Sequence, residues 1–306
     1  MTGIYEGRVR TVAITGARGM IGTALARALT GDGHRVLGIG RRPGPHTDVL
    51  WDPRAGRIDS ARLEGVDAVV HLAGESIASG RWTRARMQRI RESRTEGTAL
   101  LARTIAGLDP KPDVMVSVSA VGIYGDRGDE LLTDASAPGR GFLADVGMAW
   151  EASADPARDA GIRVAHPRLA AVLAQTGGVL GRLLLPFRLG LGGPIGRGAQ
   201  WMPLVSLDDA VGAMRHLLDS PGLAGPFNVS LPAPVTNAEF SKALGRALHR
   251  PAIIPVPPAA LRLVYGQLAD ELLIASAKVV PAGLEAAGYR FRHPTIDAAL
   301  AAALSD

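Results

Sequence analysis

Residues 12–22 read VAITGARGMIG, an apolar run followed by glycines three residues apart. Helix-forming sequence comes next, so the order is that of a buried strand turning tightly into a helix. The first glycine would allow the turn, the second would let the backbone approach a pyrophosphate, and the third would let helix and strand pack closely. The helix N-terminus would face the same anion. The pattern predicts a dinucleotide site whose contacts are Gly16, Ala17, Arg18, Gly19, Met20, Ile21 and Gly22.

The composition of the 306-residue chain limits its class. Hydrophobic residues make up 47% and charged residues 21%, which is ordinary for a globular protein. No apolar run has the length of a membrane span, so we expect no membrane partner. The absence of cysteine excludes disulfides and thiolate chemistry and favours a cytoplasmic location. The 7 histidines show no ligand spacing, so we expect no metal.

Arginine dominates the positive charge of the chain. Lysine and arginine total 34 against 29 acidic residues, and the net charge is +5. One stretch is especially rich, with Arg81, Arg84, Arg86, Arg89, Arg91 and Arg94. Such a run could bind nucleic acid, but aromatic residues are not interleaved with it beyond Trp82. A solvated helix face, with one or two arginines turned toward a phosphate, is favoured, and we expect no nucleic-acid partner.

Short apolar segments alternate with helical patterns in the first half of the chain. Strands are predicted near residues 11–15, 35–39, 67–72, 113–118 and 162–166. Helices are predicted near residues 20–30, 83–105, 143–159 and 207–218. Because the strands are apolar on both faces, the alternation predicts an α/β fold of the Rossmann type, a doubly wound parallel sheet covered by helices on each side.

The second half of the chain has a different organisation. Residues 186–203 are rich in glycine and proline and predict a functional loop. A helix is predicted from about residue 236 to 247. We predict a Rossmann domain and a smaller C-terminal substrate lobe, with the substrate between them. The Rossmann domain would comprise residues 1–175 and a returning segment 205–230, and the lobe residues 176–204 and 231–306.

Two arginines follow the second predicted strand, in the segment GIGRRPG. The ribose of an adenosine half would lie there, and an acidic residue would bind the 2′-hydroxyl of NAD. Arg41 and Arg42 suit a 2′-phosphate instead, so we predict NADP(H) rather than NAD(H). A turn that carries two solvated arginines is the alternative interpretation.

Two later strands end in segments that could contact ligands. HLAGES offers Leu72, Ala73 and Gly74 as positions where a nucleotide could lie beside the backbone, although a buried strand end would look similar. SVSAVGIYGDRG offers Ser119 as a hydrogen-bond donor to a substrate oxygen and Tyr124 as a phenol for proton transfer. A strand-end cap and a packed aromatic ring are the alternatives. The phenol would also need a nearby positive charge, because its ordinary pKa is about 10.

These segments resemble one known group of proteins. In chain order they are TGARGMIG, HLAGESIASGRW, SAVGIYGD, PFRLGLGGPIGRG and ALHRPAIIPVP. They resemble the extended and atypical short-chain dehydrogenase/reductases, especially the epimerase-like family named for sugar nucleotides. The resemblance implies a Rossmann domain, an NADP-type cofactor, a substrate lobe in the second half, and a homodimer paired through the helices near 83–105 and 143–159.

In that superfamily a serine or threonine after the fourth strand and a Tyr-x-x-x-Lys pair carry the chemistry. Ser119 matches the serine, although Ala120 aligns nearly as well. The pair is missing here, because the matching segment FLADVGMAWE has Leu143 and Gly147 in the two roles. Nor does a lysine stand four residues after any tyrosine of the chain, namely Tyr5, Tyr124, Tyr265 and Tyr289.

Two other segments depart from the family pattern. The family reads Arg-Thr-Gly after its fifth strand, where this chain has Arg168-Leu169-Ala170. It reads Trp-Ile-His before its Asp pair, where this chain has Leu204-Val205-Ser206. Both changes remove polar or aromatic groups, and Arg168 is the residue that would still contact the cofactor.

Two functions follow from these residues. One is an NADP-dependent epimerase or oxidoreductase that acts by hydride transfer on a small substrate such as a sugar nucleotide. There Tyr124 would transfer the proton, Ser119 would orient the substrate, and Arg94 or Arg81 would supply positive charge. Arg94 would also contact the cofactor. The other is a non-catalytic NADP-binding sensor or scaffold, which the missing dyad favours.

Overall fold

The computed structural model describes residues 9–175 and 177–305, so Tyr5 lies outside the described residues. The strands in chain order are β1 (Thr11–Thr15), β2 (Arg35–Gly40), β3 (Val49–Asp52), β4 (Arg57–Ile58), β5 (Ala68–His71), β6 (Val114–Ser117), β7 (Ser119–Ala120), β8 (Leu131–Leu132), β9 (Arg163–Leu169), β10 (Ala171–Leu173), β11 (Trp201–Met202), β12 (Leu204–Ser206), β13 (Gly225–Val229), β14 (Val235–Thr236) and β15 (Lys278–Val279).

The helices cover both faces of the main sheet and build most of the second half. In chain order they are α1 (Met20–Gly31), α2 (Arg84–Ala106), α3 (Phe142–Ala152), α4 (Asp155–Asp159), α5 (Gly178–Arg188), α6 (Leu207–Asp219), α7 (Asn237–Ala247), α8 (Pro258–Tyr265), α9 (Ala282–Ala286) and α10 (Ile296–Ser305). Short 3₁₀ helices occupy Ser60–Leu63 and Val121–Tyr124, and a π-helix occupies Ala269–Ile274.

Parallel strands form the main sheet. Its order within the described residues is β13-β9-β6-β5-β1-β2-β3-β4, with β7 also paired to β9. The pairs are parallel except for β3 with β4 at the edge. The chain runs outward from β1 through β2 in one direction and from β5 through β6 in the other. The strand order therefore reverses between β1 and β5, and ligands of such sheets bind at this point, beyond the carboxyl ends of the strands.

Both faces of this sheet are buried, as the apolar strands predict. Val12 and Ile14 of β1 pack into one apolar core with α1 and α6. Ala13, between them, packs into a second core with α2 and α4. Because successive side chains of a strand point to opposite faces, a strand that is apolar at every position must be covered on both sides. The predicted Rossmann-type, doubly wound α/β fold is confirmed.

A third apolar core lies in the second half of the chain. It joins α5, α7 and α10 through side chains such as Leu184, Phe240 and Leu300. By contrast, β13 pairs with β9 in the main sheet, and α6 packs into the first core. The division of the chain into a Rossmann domain and a substrate lobe stays a prediction.

Two predicted boundaries are wrong, and proline is involved in both. The helix predicted over 143–159 is two helices, α3 and α4, with Pro156 in the first turn of α4. Proline has no amide hydrogen and fits a first helical turn, so it starts a helix more readily than it continues one. The loop predicted from residue 186 starts later, because α5 continues through Pro186 to Arg188. A proline so near the end of a helix removes few helical hydrogen bonds.

Candidate functional site

Close backbone packing shapes the turn between β1 and α1. Gly16 has a φ of 70°, a left-handed conformation that favours glycine, and its carbonyl accepts from the Gly19 amide at 2.8 Å. A Cβ atom at Gly22 would lie 2.2 Å from that carbonyl oxygen, which no real contact allows. Helix α1 starts directly after the turn and has no acidic residue in its first turn. The first amides of α1 can therefore face an anion, so the turn fits a dinucleotide pyrophosphate.

Thr15 and His71 fix the neighbouring turn after β5, and sequence reasoning missed both. Thr15 Oγ1 accepts from the amides of Leu72 at 3.0 Å and Ala73 at 3.1 Å, and lies 2.7 Å from His71 Nδ1. Because both acceptor positions of the hydroxyl are used, its proton goes to Nδ1 and the imidazole carries its own proton on Nε2. Burial, and then the charge of Arg94, lowers the pKa of His71 to about 4, so the ring is neutral.

The turns after β1 and β5 lie side by side. A Cβ atom at Gly16 would be 3.2 Å from the amide nitrogen of Ala73. Gly74 is exposed, and a Cβ atom there would lie 3.4 Å from the guanidinium carbon of Arg94. Arg94 donates to a backbone carbonyl of the β5 turn at 3.1 Å and lies over the Trp150 ring at 4.9 Å. Burial lowers the pKa of Arg94 to about 10, which leaves it charged at neutral pH.

The other predicted contacts of the glycine turn are placed around the start of α1. The carbonyl of Ala17 accepts from Thr23 Oγ1 at 3.1 Å. Ile21 and Met20 are half-buried and pack against the first apolar core. The Met20 sulfur also lies 3.8 Å from the place that a Cβ atom at Gly177 would take. The start of α5 therefore meets the glycine turn.

An arginine cluster, formed by Arg18, Arg41 and Arg42, lies at the end of β2. Arg18 donates to the carbonyl of Arg42 at 3.1 Å and to Thr47 Oγ1, and all three arginines are exposed. Asp48 turns its carboxylate to a backbone amide of β2 at 2.8 Å. Guanidinium groups bind phosphate oxygens through paired hydrogen bonds. The cluster therefore offers positive charge where a 2′-phosphate would lie.

Ser119 lies in β7, next to β9 and close to Glu151. Its side chain is buried, and its hydroxyl lies close enough to the Glu151 carboxylate to lower the pKa of that group. Burial raises the pKa of Glu151, but the hydrogen bonds and charge of Arg168, with a smaller contribution from Ser119, outweigh burial and leave that pKa lowered.

Packing fills the positions where the family dyad would stand. Helix α3 lies against the 3₁₀ helix Val121–Tyr124. A Cβ atom at Gly147 would be 3.0 Å from Ile123 Cβ, and one at Gly122 would be 3.4 Å from Leu143 Cβ. A side chain at 147 would therefore require Ile123 or α3 to shift by a few tenths of an ångström.

Tyr124 is enclosed, which does not fit the proton-transfer role predicted for it. Its side chain is 0% exposed. Its hydroxyl accepts from Arg168 Nη1 at 2.9 Å and donates to Asn228 Oδ1 at 2.7 Å or to the Thr133 carbonyl at 3.0 Å. Burial raises the pKa of Tyr124, and Arg168 offsets this only in part. The hydroxyl is satisfied within the protein, which favours the packed-ring interpretation of Tyr124; its role in proton transfer stays a prediction.

Arg168 is held mainly by Glu151, and its predicted contact with the cofactor stays a prediction. Its Nε and Nη2 donate to the two carboxylate oxygens of Glu151 at 2.8 and 2.9 Å. Burial lowers the pKa of Arg168, but Glu151 outweighs this and raises it above its usual value. Arg168 therefore braces β9 against α3. We call this group the buried network; its members are Tyr124, Asp134, Glu151, Arg168 and Asn228.

Two predicted absences concern metal and membrane. Within residues 9–175 and 177–305, no group of three or more histidines and carboxylates could hold a metal ion. In the same range, no helix combines the length and the apolar character that a membrane crossing requires. Both absences stay predictions for the chain as a whole.

Comparison with known families covers most of the chain. The model described as the NAD dependent epimerase/dehydratase family matches residues 12–230, from β1 to the end of β13. A second model, described as a domain of unknown function (DUF1731), matches residues 256–303, which hold α8 and the π-helix.

Similar proteins extend over nearly the whole chain. Epimerase family protein Mb2239 of Mycobacterium bovis is 42% identical over 290 residues, covering 94% of this chain and 96% of that protein. The crystal structure of human epimerase family protein SDR39U1 (isoform2) with NADPH has a TM-score of 0.88 and 35% identity, covering 97% of this chain and 99% of that chain. The crystal structure of the nucleoside-diphosphate sugar epimerase from Corynebacterium glutamicum has a TM-score of 0.82 and 38% identity. The match covers 98% of this chain and 59% of that chain.

The fold, the turn and the similarities agree. A glycine turn that only glycine can form opens the first βα unit of a doubly wound sheet, and the family model spans that sheet. The chain therefore belongs to the NAD-dependent epimerase/dehydratase family.

Proposed function

We propose that the protein is an NADP(H)-dependent epimerase or oxidoreductase that transfers a hydride between the cofactor and a small carbonyl or alcohol substrate. The observation that carries the proposal is the arginine cluster beside the glycine turn. The human relative with a solved structure was crystallised with NADPH, which supports the choice of cofactor. A sugar nucleotide is one candidate substrate, because the Corynebacterium relative is a nucleoside-diphosphate sugar epimerase. A cytoplasmic location and a homodimer stay predictions.

Bound NADPH would supply the hydride, and the chain would supply position and charge. The amides at the start of α1 would hold the pyrophosphate, and the arginine cluster would hold the 2′-phosphate. Leu72, Ala73 and Gly74 would line the space beside the backbone, with the charged Arg94 behind them.

Ser119 is the group that would meet the substrate. Its hydroxyl, beside the Glu151 carboxylate, would donate a hydrogen bond to the carbonyl oxygen while the carbonyl carbon accepts the hydride. Leu143 and Gly147 cannot transfer protons, and Tyr124 is enclosed. Water would therefore supply the proton to the substrate oxygen. A positioned side chain contributes about 10²–10⁴-fold to such a step, so we expect slow turnover.

Label transfer tests the proposal. NADPH carrying deuterium at C4 is incubated with the protein and a panel of aldehydes, ketones and oxidised sugar nucleotides, and the products are analysed by mass spectrometry. We expect deuterium at the former carbonyl carbon of one substrate class. Ser119→Ala should slow transfer by about 10-fold or more without weakening NADPH binding. NADPH binding with no transfer to any compound would contradict the proposal.

Tyr124→Phe separates the buried network from the chemistry. We expect this variant to keep label transfer and to lose about 1–3 kcal/mol of unfolding free energy, because buried partners of the hydroxyl are left unsatisfied. Urea unfolding and the initial rate of transfer measure the two effects. Loss of transfer at unchanged stability would restore Tyr124 as the proton donor.

A non-catalytic NADP(H)-binding sensor or scaffold is the second candidate. The observation that favours it is the close approach of Gly147 to Ile123, because a side chain at the family's lysine position would require a neighbour to shift. Under this alternative, the protein binds NADPH and no panel compound takes up label.

A further inference from the structure

Helix α5 lies opposite the two turns, after β1 and after β5, where we propose that the cofactor binds. It begins at Gly178, where a Cβ atom would lie 3.9 Å from the Met20 methyl group of the glycine turn. One turn further along, Arg182 Nη1 donates to the Ala78 carbonyl at 2.5 Å, in the segment that follows β5. The face of α5 that carries Gly178 and Arg182 therefore points at both cofactor turns.

That face of α5 continues with exposed leucines. Leu185 and Leu189 follow Arg182 at three and seven residues, which places them on the same side of the helix. They are 68% and 64% exposed, whereas Leu184 and Phe187 on the other side are buried in the third core. A surface helix ordinarily turns polar residues to water, so an apolar second face indicates a surface that something covers.

The chain around α8 extends this apolar surface. Hydrogen bonds pair residues 192–196 with 254–256, for example from the Val256 amide to the Pro194 carbonyl at 2.8 Å. Helix α8 follows directly and has no buried residue. It ends at Gly266, where a Cβ atom would lie 3.5 Å from Arg81 Nη2 in the segment after β5. Helix α8 thus reaches the same side of the molecule as α5.

We call the exposed residues of these segments the apolar wall. Each is between 56% and 78% exposed; they are Leu185, Leu189, Leu191, Ile253, Leu263 and Val264. Other large exposed apolar residues, such as Leu50 and Leu131, lie on separate strands. Scattered apolar residues are normal on a protein surface, but a concentration of them on neighbouring segments indicates a surface that a ligand or partner covers.

Positive charge accompanies the apolar wall. Arg81 and Arg182 are exposed, and neither forms an ion pair with another described residue. The nearby carboxylates are engaged, because Glu271 accepts from the amides at the start of α3 and Asp270 pairs with Arg262 at 2.7 Å. The surroundings therefore complement an anion.

We propose that this surface binds a small amphipathic carbonyl compound, whose aliphatic body lies against the apolar wall and whose anionic group lies beside Arg81 and Arg182. The inference rests on the proposed function and names its substrate class. Sugar hydroxyls fit the wall poorly, because a hydroxyl placed against leucine loses its hydrogen bonds to water without replacement. An aliphatic chain gains from the same contact.

Calorimetric titration of the protein saturated with NADP⁺ tests this, with decanoate as the amphipathic anion and UDP-glucose as the sugar nucleotide. We expect decanoate to bind roughly ten-fold or more tightly than UDP-glucose. Tighter binding of UDP-glucose, or no binding of decanoate, would overturn the inference. The titration with NADP⁺ itself comes first and reports on the proposed function separately, so the two failures are distinguishable.

Variants locate the probe on the wall. Leu185→Ser combined with Leu189→Ser should weaken decanoate binding by roughly ten-fold, because two apolar contacts are lost. Leu131→Ser, which changes a leucine that is 54% exposed on β8, is the matched control and should leave the affinity unchanged. Equal effects of the wall and control variants would overturn the inference.

A charge variant tests the anionic half. Arg182→Gln keeps a donor for the Ala78 carbonyl and removes the positive charge. We expect about ten-fold weaker decanoate binding and no change for neutral 1-octanol. Equal losses for both probes would overturn the anionic assignment. A dimer that the double leucine variant dissociates, with decanoate affinity unchanged, would show that the wall joins two copies of the chain and would overturn the inference as a whole.

Discussion

The two ends of the candidate cleft differ in how their polar groups are satisfied. At the glycine turn, helix amides and the arginine cluster face outward, and a Cβ atom at Gly22 would collide with the backbone. At the other end, Glu151, Arg168 and Tyr124 satisfy one another, and α3, which carries Leu143 and Gly147 at the dyad positions, packs against the 3₁₀ helix. The polar groups near the glycine turn therefore face outward, as cofactor binding would require, whereas those beside α3 are held by one another.

Breaking the buried network should give the largest loss of stability. Glu151→Ala leaves Arg168 buried and uncompensated, which costs about 3–5 kcal/mol of unfolding free energy. Urea unfolding measures it. The control is Glu130→Ala, which breaks an exposed pair with Arg127 and should cost at most about 1 kcal/mol. Equal stability of Glu151→Ala and wild type would contradict the structural role of the network.

Gly22→Ala should disturb the binding end nearly as much. The added methyl would lie 2.2 Å from the Gly16 carbonyl oxygen, so α1 must move away from β1. We expect a loss of about 3 kcal/mol in unfolding free energy and no measurable NADPH binding. Gly31→Ala, at the end of the same helix with nothing within 4 Å, should leave binding unchanged. Normal NADPH affinity of Gly22→Ala would show that the turn is not the cofactor site.

Removing the two arginines after β2 should sharpen the choice of cofactor. Arg41→Ala combined with Arg42→Ala deletes charge-assisted hydrogen bonds to a 2′-phosphate, each worth about 1.5–3 kcal/mol. We expect NADPH affinity to fall by about 10–100-fold while NADH affinity stays the same. Calorimetry with both nucleotides measures this. A parallel fall for NADH would mean that the arginines act on a group common to both nucleotides.

The buried His71 predicts a smaller, pH-dependent effect at the binding end. The pKa of His71 falls from 6.5 to about 4 on folding. Between these pH values the imidazole is protonated in the unfolded chain and neutral in the folded protein. The stability that the neutral His71 ring contributes is fully present above pH 6.5 and is lost as the pH falls toward 4. Over that range the free energy of unfolding should fall by up to about 1.4 kcal/mol per pH unit. Urea unfolding of wild type and His71→Asn across this range should show a shallower slope for the variant. Identical slopes would contradict the assignment.

Local patterns in the sequence predict the glycine turn well. A glycine turn is a short-range feature, because its strand, turn and helix are consecutive from Thr11 to Gly31. The same holds for Arg41 and Arg42, which simply follow β2. Backbone constraints of this kind are visible in residue order alone.

The closed half depends on contacts between distant parts of the chain. Tyr124 meets Asn228 across 104 residues and Arg168 across 44, so nothing near Tyr124 in the sequence shows that its hydroxyl is enclosed. In the sequence Glu151 is one acidic residue of a predicted helix. Its partner, Arg168, lies in β9. Burial arises when those elements pack, and residue order alone does not reveal it.

Parallel calorimetric titrations of the purified protein with NADPH and NADH show directly whether the arginine cluster binds a 2′-phosphate. We expect NADPH to bind roughly ten-fold or more tightly than NADH, because only NADPH brings the 2′-phosphate to the arginine cluster. Equal affinities, or no binding of either nucleotide, would contradict it.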